Sequence, residues 1–112
     1  MRKHKLVAFA VAALLAHQTA AAVDYVGVGK ITSIENGWFG EGVAFKHSSP
    51  GITGCTADPT EFAIDKSHPG YKEIVAIALA AQTSAANVEL VVEKGVCLFG
   101  GRTKVLAIKI SN

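Results

Sequence analysis

A change in hydrophobic period between residues 71 and 110 constrains this chain most. From Tyr71 onward, apolar side chains recur at helical spacing, which predicts an amphipathic helix whose inward face is formed by Tyr71, Ile74, Val75, Ala78, Leu79 and Gln82. Beyond it, side chains alternate between two faces, and the apolar sets are Val88, Leu90 and Val92, then Leu106, Ile108 and Ile110. The region therefore predicts one helix followed by two β-strands.

The first 22 residues predict a signal peptide rather than part of the fold. Basic residues near Met1 precede an apolar run from Leu6 to Ala16, and three alanines ending at Ala22 form an A-x-A-type cleavage site. The apolar run is short for a membrane span, which needs about 20 residues. An uncleaved anchor is the alternative. We expect a secreted or periplasmic product with a single domain over residues 23–112 and no stable membrane insertion after cleavage.

The apparent basicity of the chain belongs to this leader. The full sequence has 11 Lys+Arg and 9 Asp+Glu, and the leader contains three of the basic residues and no acidic ones. Its removal leaves a net charge of −1. Binding to a phosphate backbone normally requires a basic patch, so the charge argues against nucleic acid as a partner.

The two cysteines, Cys55 and Cys97, predict one structural disulfide. An exported domain of this size has a modest core, and a covalent link between distant segments compensates for it. A reactive thiol is the alternative, but the sequence has no CxxC motif.

Three further strands precede the helix, over residues 25–34, 41–48 and 61–66. Gly27 and Gly29 lie where the first of them changes parity, which predicts a bulge or bend. The resulting order, β-β-β-α-β-β, predicts a mainly β fold with one helix and one disulfide, arranged as a five-stranded Greek-key barrel of the OB-fold type. An open α+β sheet packed on the helix and a sandwich lacking strands are the alternatives.

The last third of the chain resembles a known family. Residues 79–83 (LAAQT), 87–92 (NVELVV), Cys97 and the Gly100-Gly101 pair resemble the helix and last strands of Shiga-type toxin B subunits, and residues 103–112 resemble the end of cholera-type B subunits. The resemblance implies an exported OB-fold protein that binds cell-surface glycans as a ring pentamer and has no catalytic activity. One departure is the position of Cys55, because in those toxins the partner of the late cysteine lies near the mature N-terminus.

Two loops carry the candidate ligand-binding residues. Trp38 and Phe39 lie between glycines in the first hairpin turn, and Phe99 and Arg102 lie in the loop between the last two strands. In an OB barrel these two loops flank the usual ligand face. Aromatic faces stack on sugar rings or bases, and Arg supplies a planar set of donors. The alternative is that Trp38 or Phe39 folds back to cap the core.

The predicted outer face of the helix carries little charge and consists of Ala76, Ile77, Ala80 and Ser84. A face of small residues can pack against copies of itself around a symmetry axis, so the face is a candidate surface for a homo-oligomer. The alternative is that alanine is present because it is a good helix former.

No residue pattern predicts catalysis, a cofactor or a metal site. His47 and His68 lack the companion ligands of a zinc site, and residues 27–30 (GVGK) do not complete a phosphate-binding loop. The leading expectation is a non-enzymatic, exported module that binds a glycan or another surface ligand. The alternatives are a monomeric periplasmic or envelope protein with a structural or protein-partner role and, third, a small hydrolase.

Overall fold

The computed structural model describes residues 22–111, so the predicted leader lies outside the described residues except for Ala22. Within this range the elements are β1 (Val23–Gly29), β2 (Ile31–Asn36), β3 (Gly42–His47), β4 (Glu61–Asp65), α1 (Tyr71–Ser84), β5 (Asn87–Leu98), a short 3₁₀ turn (Phe99–Gly101) and β6 (Arg102–Ser111). The prediction of a mainly β fold with one helix is confirmed. Between residues 22 and 111, helix α1 does not reach the length and apolarity needed to cross a bilayer.

The strands form one mixed sheet in the order β1-β5-β6-β4-β3-β2. Neighbouring strands are antiparallel except for β4 and β6, which run parallel. The expected strand number, five, is therefore corrected to six. The extra strand arises because the predicted first strand is divided in two at Lys30, and its halves pair with different neighbours.

The division at Lys30 confirms the bend predicted from Gly27 and Gly29. The pairing of β1 with β5 shifts register between Val26 and Gly29, and the pairing of β2 with β3 shifts again after Ile31. A side chain at Gly29 would lie 2.5 Å from the imidazole of His47, so only glycine permits this close approach.

The core lies between the sheet and the helix. Its largest members are Phe45, Phe62, Ile64 and Leu90, and the predicted inward set of β5, which also includes Val88 and Val92, is fully buried. Burial of such side chains supplies most of the favourable free energy of folding. The core thus depends on contacts between strands that are distant in sequence.

The C-terminal strand departs from its predicted alternation. Thr103 and Val105 are buried, whereas Leu106 and Ile108 are half-buried and Ile110 is exposed. The register with β5 slips where Val91 pairs with Ala107 and Val92 with Val105. Leu106 is the unpaired extra residue, so Thr103 and Val105 face the core before this bulge, whereas beyond it Ile108 packs against the core.

Helix α1 packs against β2 and β6 through a narrower face than predicted. Its buried residues are Ile74, Ala78 and Ala81, with Tyr71 and Val75 partly buried. Leu79 and Gln82, which were expected to face inward, are exposed.

The predicted disulfide is confirmed. Cys55 and Cys97 are bonded, with their Cα atoms 5.6 Å apart, and the bond joins the long β3–β4 loop to the end of β5. Near the bond, the backbone N–H of Ala57 donates to the carbonyl of Gly101 at 3.0 Å. The disulfide therefore fixes the loop against the 3₁₀ turn that precedes β6.

Candidate ligand-binding site

The turn between β2 and β3 displays two aromatic side chains to solvent. The N–H of Gly40 donates to the carbonyl of Gly37 at 3.0 Å, so Trp38 and Phe39 occupy the two central positions of a β-turn. These side chains are 92% and 88% exposed. Neither folds back to cap the core, because the central residues of such a turn point away from the strands it connects.

Glu41 and Gly37 hold this turn in place. The carboxylate of Glu41 accepts a hydrogen bond from the N–H of Phe39 at 2.8 Å. A side chain at Gly37 would meet that carboxylate at 2.5 Å and the ring of Phe99 at 3.3 Å. The absence of a side chain at Gly37 thus lets the carboxylate and the ring approach the turn together.

The loop between β5 and β6 brings Phe99 and Arg102 to the same end of the sheet. The guanidinium of Arg102 lies 5.8 Å from the centre of the Phe99 ring, and its Nη1 donates to the carbonyl of Phe99 at 3.3 Å. Gly100 has a positive φ of 68°, and a side chain there would overlap Arg102. The loop therefore closes over itself only with glycine at this position.

The two loops together line one open pocket of about 380 Å³. Its walls contain all four residues singled out from the sequence, Trp38, Phe39, Phe99 and Arg102. The remaining lining residues are Glu35, Asn36, Gly37, Glu41 and Gly100. The fold thus juxtaposes two segments that are about 60 positions apart in the sequence.

Three carboxylates at this site were missed by sequence reasoning. Glu35 lies 2.9 Å from Arg102 Nη2, and Glu61 lies 3.7 Å from Arg102 Nε. Glu41 accepts the hydrogen bond from the N–H of Phe39. Glu35 and Glu41 could have been assigned to the site from the sequence, because they lie on either side of the predicted turn. Glu61 was not detectable, because it reaches Arg102 only through the parallel pairing of β4 with β6.

The other candidate residues lie apart from this pocket. On α1, Ala76, Ala80 and Ser84 are exposed, while Ile77 is half-buried. His47 is buried, and its imidazole contacts the carbonyl of Val88 and the N–H of Ser49. Across residues 22–111, His, Cys, Asp and Glu side chains do not gather in groups of three that could hold a metal ion.

Comparison of the chain with models of protein families, with curated proteins and with solved structures gives no match. The side chains of the pocket indicate which kind of ligand it can bind. Exposed aromatic faces offer stacking surfaces, and carboxylate oxygens accept hydrogen bonds from hydroxyl or amine groups. The pocket is suited to a ligand that has both an apolar face and hydrogen-bond donors.

Proposed function

We propose that this protein is a non-enzymatic module that binds cell-surface glycans in the pocket formed by Trp38, Phe39, Phe99 and Glu41. The observation that carries the proposal is the near-complete exposure of Trp38 and Phe39 on a turn that is braced by hydrogen bonds. Large aromatic side chains are usually buried, and exposed clusters mark interaction sites. A sugar ring has one apolar C–H face and a rim of hydroxyl groups, which matches stacking surfaces beside carboxylates.

The strand arrangement supports the OB-type barrel as the scaffold of this site. The two edge strands of the sheet, β1 and β2, are consecutive in the chain and separated by Lys30 alone. Counted as one bent strand, they would bring the strand number to five and connect the two edges of the sheet, as closure into a barrel requires. In that arrangement the pocket loops follow the first and fourth barrel strands, where OB-folds bind their ligands.

The single tryptophan makes the proposal directly testable. The sequence contains one Trp, so selectively excited tryptophan fluorescence reports on position 38 alone. We expect a fluorescence change on titration with a recognised oligosaccharide, identified on a glycan array. On the glycan array, which does not require the fluorophore, we expect Trp38→Ala to abolish binding and Tyr25→Ala, which removes another exposed aromatic, to leave binding unchanged. A normally folded Trp38→Ala variant that keeps full affinity would remove the proposal.

Self-association through α1 is the second part of the proposal. Ala76, Ala80, Ser84 and the exposed Leu79 give the helix an outer surface with few charges, and such surfaces pack in symmetric oligomers. A ring of five copies would present several pockets at once and raise the apparent affinity for a multivalent cell surface. Light scattering of the mature, oxidised protein tests this part, since a clean monomer would exclude the ring.

A protein partner in the cell envelope is the alternative function. Val23, Tyr25 and Val28 of β1 leave an apolar surface exposed, away from the pocket. This role would be favoured if the protein is a monomer that binds no glycan. Binding to an envelope partner should then be lost in the Tyr25→Ala variant. Either function suits a secreted or periplasmic protein, because disulfides are typical of oxidising compartments.

A further inference from the structure

Arg102 is held by three polar contacts within the protein. Nη2 donates to Glu35 Oε1 at 2.9 Å, Nη1 donates to the carbonyl of Phe99 at 3.3 Å, and Nε lies 3.7 Å from Glu61. The side chain is only 19% exposed. Arg102 is thus held between two carboxylates and one carbonyl, so its positive charge is already paired within the protein.

Negatively charged side chains outnumber positively charged ones around the pocket. Glu35 and Glu41 line the pocket, and Glu61 lies behind Arg102. The positive groups beside them are Arg102 itself and Lys66, whose ammonium would lie 3.5 Å from a side chain built at Gly40. Three carboxylates therefore face two cations, and the carboxylate of Glu35 is the more exposed member of its ion pair.

We infer that the pocket selects neutral glycans and rejects those with a terminal carboxylated sugar, and that Arg102 is a positioning residue rather than a ligand-binding one. This inference rests on the proposed function. Glu35 and Glu41 can accept hydrogen bonds from the hydroxyl groups of a neutral sugar. A carboxylated sugar would bring a like charge to the same place, where the guanidinium of Arg102 is already paired with Glu35 and Glu61.

The test compares matched pairs of oligosaccharides that share a core and differ in one terminal sialic acid or uronic acid. The array should include galactose-, glucose-, mannose-, fucose- and N-acetylglucosamine-terminated cores, and affinities are then measured by tryptophan fluorescence. We expect the neutral member of the recognised pair to bind at least about fivefold more tightly at low salt, the factor that corresponds to one unit charge at ~4 Å in water. Added salt should narrow the difference by screening the like charges.

Charge-removing variants locate the source of the selectivity. Glu41→Gln retains an acceptor for the N–H of Phe39 and removes one negative charge, so the ratio of neutral to anionic affinity should fall. Glu89→Gln is the matched control, because Glu89 lies near the opposite end of β5 and pairs with Lys109. The ratio should not change in that variant.

The possible outcomes separate the inference from the function on which it rests. If neither the neutral nor the anionic member of any pair binds, the proposed function fails. If glycans bind but the anionic member binds equally or more tightly, the sugar-binding function stands and the charge selectivity is wrong. A selectivity that Glu41→Gln and Glu89→Gln change equally would also overturn the inference, because it would come from net charge rather than from the pocket.

Discussion

Arg102 and Glu35 meet at 2.9 Å although 67 positions separate them in the sequence. Their contact joins the start of β6 to the end of β2 at the mouth of the pocket. The ring of Phe99 lies beside the guanidinium and the turn bearing Trp38 follows β2, so one ion pair fixes both walls relative to each other.

The Arg102–Glu35 pair should show measurable coupling. In a double-mutant cycle with Arg102→Ala and Glu35→Ala, we expect a coupling free energy of about 0.5–1 kcal/mol, because Glu35 is largely exposed and water screens the pair. Arg102→Lys should not restore the stability, since one ammonium cannot replace the planar fork. Urea unfolding measures each free energy, and strict additivity would show that the contact contributes nothing.

Gly100→Ala should damage the pocket loop. The positive φ of this residue disfavours a side chain, and a methyl group would overlap Arg102. We expect a loss of about 1–2 kcal/mol in unfolding free energy together with weaker ligand binding. Gly27→Ala is the control, because a side chain at Gly27 meets no atom within 4 Å. Equal effects of the two changes, measured by thermal unfolding, would contradict the prediction.

Loss of the disulfide should cost much of the stability. The two cysteines are separated by 42 positions, for which the chain-entropy model gives about 4 kcal/mol as an upper value. We therefore expect the double variant Cys55→Ser, Cys97→Ser to have a much lower urea midpoint. The variant should also bind ligand less tightly, because the loop that contacts Gly101 is no longer fixed. An unchanged midpoint would show that the long loop is held without the bond.

His47→Phe should destabilise the core despite the similar size of the side chains. His47 is 1% exposed, and its Nε2 lies 2.8 Å from the carbonyl of Val88. Phenylalanine leaves that buried carbonyl without this partner, a loss of about 1–3 kcal/mol. Lys46→Ala, which changes an exposed neighbour on the same strand, should alter the free energy of unfolding by less than about 0.5 kcal/mol. If both variants unfold alike in urea, the hydrogen bond of His47 does not stabilise the fold.

Asp58 should contribute to a loss of stability in acid. Hydrogen bonds from the backbone N–H and then the hydroxyl of Thr60 hold the pKa of Asp58 below its ordinary value of 3.8. Since the folded pKa is the lower one, this contribution is present above pH 3.8 and disappears as the pH falls through the folded pKa. Thr60→Val removes the hydroxyl donor and keeps the backbone N–H. The pKa of Asp58, followed by NMR, should then rise part of the way toward 3.8, and an unchanged pKa would exclude a role for the hydroxyl.

Several features followed from sequence because they depend on local chemistry. The change from helical spacing to alternation located α1 and β5, the glycines marked the bend before Lys30, and the paired cysteines gave the disulfide. The first two signals lie within a few residues of their effects, and the third is unambiguous because the sequence contains two cysteines. The turn residues Trp38 and Phe39 were identified in the same way, as aromatics between glycines. The resemblance to toxin B subunits, and the ring that it implies, stay predictions.

Only the tertiary structure decided how these parts combine. The bulge at Leu106 changed which side chains face the core along β6, and the helix buries Ala81 while Leu79 is exposed, because both depend on which strands lie opposite. The sequence indicated Arg102 as a candidate ligand-binding residue but gave no sign of its partners, and strand pairing places Glu35 and Glu61 against it. Local patterns determine which elements form and which residues they display. The charge of the pocket depends on contacts between distant strands, which carry no local signature in the sequence.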